Sequence, residues 1–120
     1  MKRLSEKEEI LMQIIWKREK LFAREVREDL PDPKPHINTV ATTMRRLADK
    51  GYLAFEDFGS TYRYSAAISK REYTNRFVKP LLTGFFGDSM KNVVSFFAEE
   101  QEISIDELKE IMDMIEKKKR

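Results

Sequence analysis

The spacing of apolar residues predicts two short helices before residue 31. Ser5 and Glu8 match a capping box, in which a hydroxyl and a carboxylate each bond a free backbone amide at a helix start. Apolar residues at helical spacing follow and predict a first helix that ends near Arg18. A short apolar link, a candidate for a single strand pairing, leads into a second helix over residues 23–30. Three prolines between positions 31 and 35 end that helix, because proline lacks the amide that a helix interior requires.

A third helix is predicted from about Ile37 to Lys50, with one apolar stripe. The stripe is expected to be buried, and its residues, separated by three and four positions, are Ile37, Val40, Met44 and Leu47. The remaining face is polar and basic and carries Asn38, Thr39, Ala41, Thr42, Arg45, Arg46 and Asp49. Gly51 stands where a left-handed residue is expected to end the helix.

Two short alternating runs with aromatic residues follow this helix and predict a β-hairpin. They cover residues 52–58 and 61–65 and turn at Gly59 and Ser60. A polar, basic helix followed by a hairpin is the layout of a winged helix-turn-helix, whose second helix lies in the DNA major groove. Residues 1–68 are therefore predicted to form a winged-helix DNA-binding domain.

Residues 69–120 show a different pattern, which predicts three helices. Two more capping boxes begin at Ser69 and Ser104, and Pro80 is expected to kink or divide the first of these helices. The apolar surface exceeds what three helices can hide on themselves, and a large exposed apolar patch usually marks an interface. The predicted fold is thus mainly α with a small β-hairpin wing: a winged helix-turn-helix plus a C-terminal three-helix dimerisation arm. The residues expected at the dimer interface are Phe77, Leu81, Phe85, Phe86, Val94, Phe97, Leu108 and Ile111.

The charge distribution separates the same two parts of the chain. The net charge of the 120 residues is only +2. Residues 34–50 carry four basic side chains against one acidic, a local charge of +3, whereas residues 88–116 carry nine acidic against two basic, a local charge of −7. A polyanion would be attracted to the first region and repelled by the second.

Composition excludes several classes of function. The chain has no cysteine and a single histidine, so disulfides, thiolate metal sites and a histidine cluster are excluded, and no metal or cofactor is expected. No positioned base or nucleophile supports an enzyme. His36 is expected at the start of the third helix, within reach of a phosphate. No segment has the length of a signal peptide or a membrane span, so we expect a cytoplasmic protein without membrane insertion.

The polar residues of the third helix are the candidate DNA contacts. Thr and Asn can bond base edges or phosphates, and Arg can pair with both acceptors of guanine. With the wing added, the candidates are Asn38, Thr39, Thr42, Arg45, Arg46 and Arg63. Two alternatives stay open: the helix face is simply solvated, and Arg63 forms an ordinary cross-strand salt bridge. The acidic residues Glu56 and Asp57 in the wing also leave open a winged-helix module that binds protein instead of DNA.

Five segments of the chain together resemble the penicillinase-repressor family of BlaI/MecI-like bacterial transcriptional repressors. They are the opening LSEKEEILMQIIW, then INTVATTMRRLADKGYL, YRYS, FFGDSMKNVVSFFAEE and ISIDELKEIMDMI. The resemblance implies a homodimer that represses transcription from a palindromic operator, with Asn38, Thr39, Thr42 and Arg46 as the DNA contacts. Ala41 occupies a position where the family often has Lys or Arg.

The resemblance also implies a route of inactivation. Family members are commonly relieved by a membrane-bound metalloprotease sensor that cuts within the dimerisation arm, and in the best-known members the cut is at an Asn-Phe bond. The matching bond here is Ser95-Phe96, so this position departs from the family pattern. The absence of cysteine argues against the copper-sensing branch, which carries paired cysteines near its C-terminus.

Overall fold

The computed structural model describes residues 1–119, with side chains through residue 118. The chain forms two compact units, residues 1–77 and the part that begins at Val78. The elements in chain order are α1 (Glu6–Arg18), β1 (Lys20–Phe22), α2 (Ala23–Asp29), α3 (Ile37–Asp49), β2 (Leu53–Asp57), β3 (Tyr62–Ala66), α4 (Lys70–Tyr73), a π-helical turn (Thr74–Val78), α5 (Lys79–Gly84), α6 (Met90–Glu99) and α7 (Ile105–Lys119). Among the described residues no helix is long and apolar enough to cross a membrane.

The first helix begins as the sequence predicts. The Ser5 hydroxyl accepts from the Glu8 backbone N–H at 3.2 Å, and the Glu8 carboxylate accepts from the Ser5 N–H at 2.9 Å. Burial disfavours the charged form of Glu8, but hydrogen bonds from Ser5 and from Lys50 outweigh that cost and lower its pKa. The Lys50 ammonium lies 3.0 Å from Glu8, so this carboxylate also ties the start of α1 to the end of α3.

The three strands form one antiparallel sheet in the order β1-β3-β2. β1 is the single strand pairing expected after α1, and it places Leu21 opposite Tyr64. The predicted hairpin pairs Phe55 with Tyr64 and Glu56 with Arg63. Gly59, at φ +89°, lies in the turn between β2 and β3. The predicted fold class, mainly helical with a small wing, is confirmed, and β1 enlarges the wing to three strands.

Helices α1 to α3 and the sheet enclose the core of the first unit. Its fully buried side chains are Tyr52, Met12, Ile15, Leu21, Met44, Leu47, Val26 and Val40. The predicted stripe of α3 is correct for three residues, but Ile37 remains 37% exposed. Ile37 is the first residue of α3 and lies beyond the core, on the side that faces the wing. Gly51, at φ +90°, follows the end of α3 as predicted.

Tyr73 of α4 packs against Trp16 of α1, and hydrogen bonds from both residues to neighbouring groups attach α4 to α1. The Tyr73 hydroxyl donates to Glu9 at 2.5 Å and accepts from the Leu4 N–H at 3.1 Å. Trp16, whose ring lies 5.7 Å from that of Tyr73, donates to the Ile68 carbonyl at 2.9 Å. Burial and the bond to Glu9 raise the pKa of Tyr73 to about 12. Residues up to 77 thus pack with the first unit, whereas the sequence pattern predicts an arm over residues 69–120.

The second unit is a short helical arm with few buried side chains. Pro80 lies in the first turn of α5, where a missing amide costs nothing, so the predicted division of this helix occurs before the proline, at the π-helical turn. Val93 is buried on α6, and Phe86 packs on Phe96 at 5.4 Å between ring centroids. The Ser104 capping box closes on the Glu107 N–H at 3.0 Å and starts α7.

Candidate nucleic-acid interface

The face of α3 opposite its buried stripe is open to solvent. All five candidate contacts on this helix, Asn38, Thr39, Thr42, Arg45 and Arg46, are exposed. Val40, Met44 and Leu47 hold the other side of the helix in the core. The helix is therefore fixed in place while its polar side chains remain free for a ligand.

Two hydrogen-bonded features shape the start of α3. The His36 Nδ1 atom accepts from the Asn38 N–H at 3.1 Å, so His36 is the N-terminal cap of α3. In the turn before it, the Lys34 ammonium donates to the Leu30 carbonyl at 2.6 Å and the Glu28 carbonyl at 2.7 Å. These bonds satisfy the C-terminal carbonyls of α2 and hold the turn of the helix-turn-helix together.

An open groove of about 460 Å³ lies between α3 and the wing. Its walls come from β1, α2, α3, β3 and the wing turn. The lining residues are Phe22, Ala23, Arg24, Ile37, Asn38, Ala41, Thr42, Arg45, Ser60, Thr61, Tyr62 and Tyr64. The lining contains two arginines and no carboxylate, so the groove favours an anion although the wing as a whole is acidic.

The two arginines of this groove each lie over an aromatic ring. The Arg24 guanidinium carbon is 5.1 Å from the centre of the Phe22 ring, and that of Arg45 is 5.5 Å from the centre of Tyr62. Burial raises the pKa of the Tyr64 phenol, and the nearby positive charge of Arg45 opposes that increase. Neither arginine has a carboxylate partner within the described part of the chain.

Arg63 is in a different environment from the arginines of the groove. It forms the cross-strand salt bridge that the sequence left open, with 3.0 Å between its Nη2 atom and the Glu56 carboxylate. Hydrogen bonds from Arg63 and Lys20 lower the pKa of Glu56. The Arg63 guanidinium also lies 5.2 Å from the Phe58 ring centre. A direct DNA contact by Arg63 stays a prediction, and it would have to displace Glu56.

Sequence reasoning missed four polar groups of the groove: Arg24, Ser60, Thr61 and Tyr62. The sequence signal for Arg24 was its place in the first turn of α2, where the helix dipole disfavours a cation. The other three lie in or next to the wing turn, and only the fold of the first unit brings them to the same groove as Arg45.

The predicted interface residues of the arm fall into exposed and half-buried groups. Phe85 is 82% exposed, and Leu81, Val94 and Ile111 are also exposed, at 44%, 38% and 46%. Phe86, Phe97 and Leu108 are half-buried within the second unit. Phe77 lies in the first unit, 5.1 Å from the ring of Tyr73. The candidate cleavage bond Ser95-Phe96 lies inside α6, and both of its residues are exposed.

No group of three or more metal-ligating side chains occurs among the described residues. What remains is a helix-turn-helix with a wing, an exposed polar helix and a carboxylate-free basic groove. These features define a winged-helix protein of the DNA-binding class.

Comparison with known proteins agrees with this class. The penicillinase repressor family matches residues 4–117. The penicillinase repressor of Bacillus licheniformis is 26% identical over 117 residues, which cover 97% of this chain and 91% of that protein. The penicillinase repressor of Staphylococcus aureus is 29% identical over 112 residues, covering 90% and 89%. The methicillin resistance regulatory protein MecI of Staphylococcus aureus strain N315 is 22% identical over 109 residues, again covering 90% and 89%.

The chain belongs to the penicillinase repressor family, a family of transcriptional repressors and not of enzymes. The resemblance inferred from the five sequence segments is therefore confirmed. The similarity extends over both the winged-helix unit and the arm.

Proposed function

We propose that this protein is a dimeric repressor that binds a palindromic operator through α3. The observation that carries the proposal is the exposed polar face of α3, fixed to the core by its buried stripe and flanked by a basic groove. The names of the relatives, penicillinase repressor and methicillin resistance regulatory protein, support repression of transcription. Asn38, Thr39, Thr42 and Arg46 are the proposed base-reading set, with Arg45 and Arg63 as backbone contacts.

The chemistry of the side chains supports separate roles for them in base reading and in phosphate contact. Arg46 is exposed and has no carboxylate partner in the described residues, so it is free to pair with the two major-groove acceptors of a guanine. Asn38, Thr39 and Thr42 project from the first half of α3, the part of a recognition helix that reaches base edges most directly. Phosphate contacts would supply most of the affinity, and the α3 residues would supply discrimination.

The apolar face of α7 supports dimerisation through the arm. Ile105, Leu108, Met112 and Ile115 are separated by three, four and three residues, which is the spacing of a helix-pairing seam. Ile105 is 72% exposed, Met112 61% and Ile115 50%. A second copy of the arm is the proposed partner for this face and for the exposed Phe85, because water contact with so much apolar surface is unfavourable.

Dimerisation would join two weak half-site contacts into one strong one. In a helix-turn-helix dimer the recognition helices are about 34 Å apart, which lets them enter successive major grooves on one side of the duplex. A second half-site then binds at a high effective concentration once the first is bound. Any event that separates the arms would therefore release the operator.

Proteolysis of the arm is the proposed release step, with a membrane metalloprotease sensor as the partner that the family resemblance implies. The candidate bond Ser95-Phe96 lies in the middle of α6. A protease takes its substrate in an extended conformation, so α6 would have to unwind before cleavage. Because the family's asparagine is replaced by Ser95, cleavage here also requires a protease with a different preference at that position.

A protein-binding module remains the second candidate, because the wing exposes aromatic surface. Phe55 and Phe58 are each 53% exposed on β2 and the turn that follows it. Such residues are enriched at protein interfaces. The carboxylate-free groove between α3 and the wing favours nucleic acid over this alternative.

Salt dependence of binding tests the proposal. The purified protein is titrated into a labelled mixed-sequence duplex and into duplexes selected from the native genome, between about 50 and 200 mM salt. We expect affinity to fall steeply with salt on both and to be higher for the selected duplexes. A protein that ignores both duplexes at the lowest salt concentration would favour the protein-binding module.

A further inference from the structure

We propose that the groove between α3 and the wing seats one sugar-phosphate strand, with Arg24 and Arg45 as phosphate contacts held in position by Phe22 and Tyr62. This inference rests on the proposed function and deepens it. It adds Arg24 to the DNA-binding residues, assigns the backbone contact of Arg45 to the groove, and gives Tyr62 a positioning role.

The lining of the groove carries positive charge only. Of its twelve lining residues two are arginines and none is acidic, although Glu56 and Asp57 lie on the adjoining strand. The acidic wing residues are directed elsewhere: Glu56 binds Arg63 and Lys20, and Asp57 accepts from the Gly59 N–H at 2.7 Å. A polyanion in the groove would therefore meet two positive charges without a carboxylate in its lining.

The arginines of the first unit differ in whether a carboxylate pairs with them. Arg18 and Arg63 each lie within 3.0 Å of a carboxylate oxygen. Arg24 and Arg45 have no such partner in the part of the chain that the structure describes, and both are exposed. An arginine paired with a carboxylate must lose that partner to bind a phosphate, whereas these two have no carboxylate to lose.

Arg24 and Arg45 each stack on an aromatic ring. A guanidinium over an aromatic face keeps its edge N–H groups free, and those groups are the ones that bind a phosphate in a forked geometry. Arg24 over Phe22 and Arg45 over Tyr62 line one groove from α2 and α3, respectively. Stacking also restricts two long side chains before binding, which reduces the entropy lost when a strand is held.

Neutral donors complete the site. The hydroxyls of Ser60 and Thr61 line the same groove, whose α3 wall also carries Asn38 and Thr42 of the proposed base-reading set. Hydroxyl and amide side chains, like arginine, commonly bond phosphate oxygens and sugars in protein–DNA interfaces. A single backbone strand fits this lining better than base edges do, because it offers anionic oxygens along its whole length.

The charge-removing variant Arg24→Gln is the first test, with Arg71→Gln as the matched control. Arg71 is an exposed arginine of α4 that does not line the groove. Arg24→Gln is expected to weaken binding by about tenfold and by the same factor on the selected operator and the mixed-sequence duplex. The slope of log affinity against log salt should decrease by about one. Arg71→Gln should change the affinity and the salt slope only by the small amount expected from losing one positive charge outside the groove.

The outcomes separate the two proposals. If the wild-type protein binds neither duplex at low salt, the proposed function fails. If it binds both, but Arg24→Gln keeps the salt slope of Arg71→Gln, the operator remains a ligand and the phosphate groove is wrong. A loss confined to the selected operator would also overturn the inference, because it would make Arg24 a base reader.

Tyr62 is tested by a pair of substitutions and a double-mutant cycle. Tyr62→Phe keeps the ring under Arg45 and should leave affinity unchanged, whereas Tyr62→Leu should weaken binding about two- to fivefold. In an Arg45→Gln background, Tyr62→Leu should cause no further loss, since the ring acts through Arg45. An equal loss for the Phe and Leu variants would assign the contact to the phenol hydroxyl and refute the positioning role.

Discussion

The two units of this chain differ in what they leave exposed to solvent. Among the described residues fourteen of the fifteen buried apolar side chains belong to residues 1–77, and Val93 is the one in the second unit. The first unit exposes mainly polar and basic groups on α3, whereas the second exposes Phe85, Met112 and Met114 at 82%, 61% and 68%. Residues 1–77 therefore enclose a hydrophobic core, whereas the described part of the arm buries few apolar side chains.

The two units also differ in net charge. Residues 1–77 carry sixteen basic and twelve acidic side chains, a charge of +4, and residues 78–120 carry seven basic and nine acidic, a charge of −2. Long-range attraction to a polyanion is thus concentrated in the first unit. This difference supports the proposal that the first unit binds DNA and that the arm binds a second copy of the chain.

The largest expected effect comes from opening the core of the first unit. Leu47 is 0% exposed at the centre of α3, so Leu47→Ala should lower the free energy of unfolding by about 2–5 kcal/mol. Met114→Ala, at a position 68% exposed in the arm, should change it by less than about 0.5 kcal/mol. Urea unfolding followed by the fluorescence of the single tryptophan, Trp16, measures both. Equal losses in the two variants would contradict the difference drawn between the units.

Disrupting the arm should affect assembly and leave the fold of the first unit intact. Phe85→Asp places a charge where we propose an apolar contact, and it should weaken dimerisation by about 2 kcal/mol or more. Sedimentation measures the dimer, and Trp16 fluorescence reports the first unit. A variant that remains dimeric to the same dilution as the wild type would remove Phe85 from the interface.

Changing the exposed face of α3 should affect DNA binding without affecting stability or assembly. If Arg46 pairs with a guanine, Arg46→Ala should cost about 1–3 kcal/mol on the selected operator and much less on a mixed-sequence duplex. Fluorescence anisotropy with both duplexes separates base reading from general attraction. Equal losses on the two would reassign Arg46 to phosphate contact.

The smallest expected effect concerns the attachment of α4 to the first unit. Tyr73→Phe removes the hydroxyl that joins Glu9 and Leu4, and it should cost about 1–2 kcal/mol. Because the pKa of Tyr73 is raised to about 12 in the folded protein, the folded state holds this proton more tightly than the unfolded state. The wild type should therefore lose stability as pH rises from about 10 towards 12, and the variant should lose less. Identical alkaline profiles would show that Tyr73 does not carry this dependence.

Sequence patterns were sufficient to predict the helices, the hairpin and the family. The capping box at Ser5, the stripe formed by Val40, Met44 and Leu47, and Gly51 after α3 are local features, so their consequences follow without knowledge of distant contacts. The polar face of α3 followed from the same periodicity. Ile37 was misassigned because periodicity identifies the side of a helix but not how far along the helix the core extends.

The tertiary structure alone decided which arginines are free. The sequence left a cross-strand salt bridge of Arg63 open as an alternative. Strand register places Glu56 opposite Arg63, and the fold of the first unit places the Tyr62 ring beside Arg45. Pairing and stacking depend on which residues far apart in the chain become neighbours, and neither composition nor spacing contains that information. The sequence thus determined the elements and the class of protein, and folding determined the charge of the groove between them.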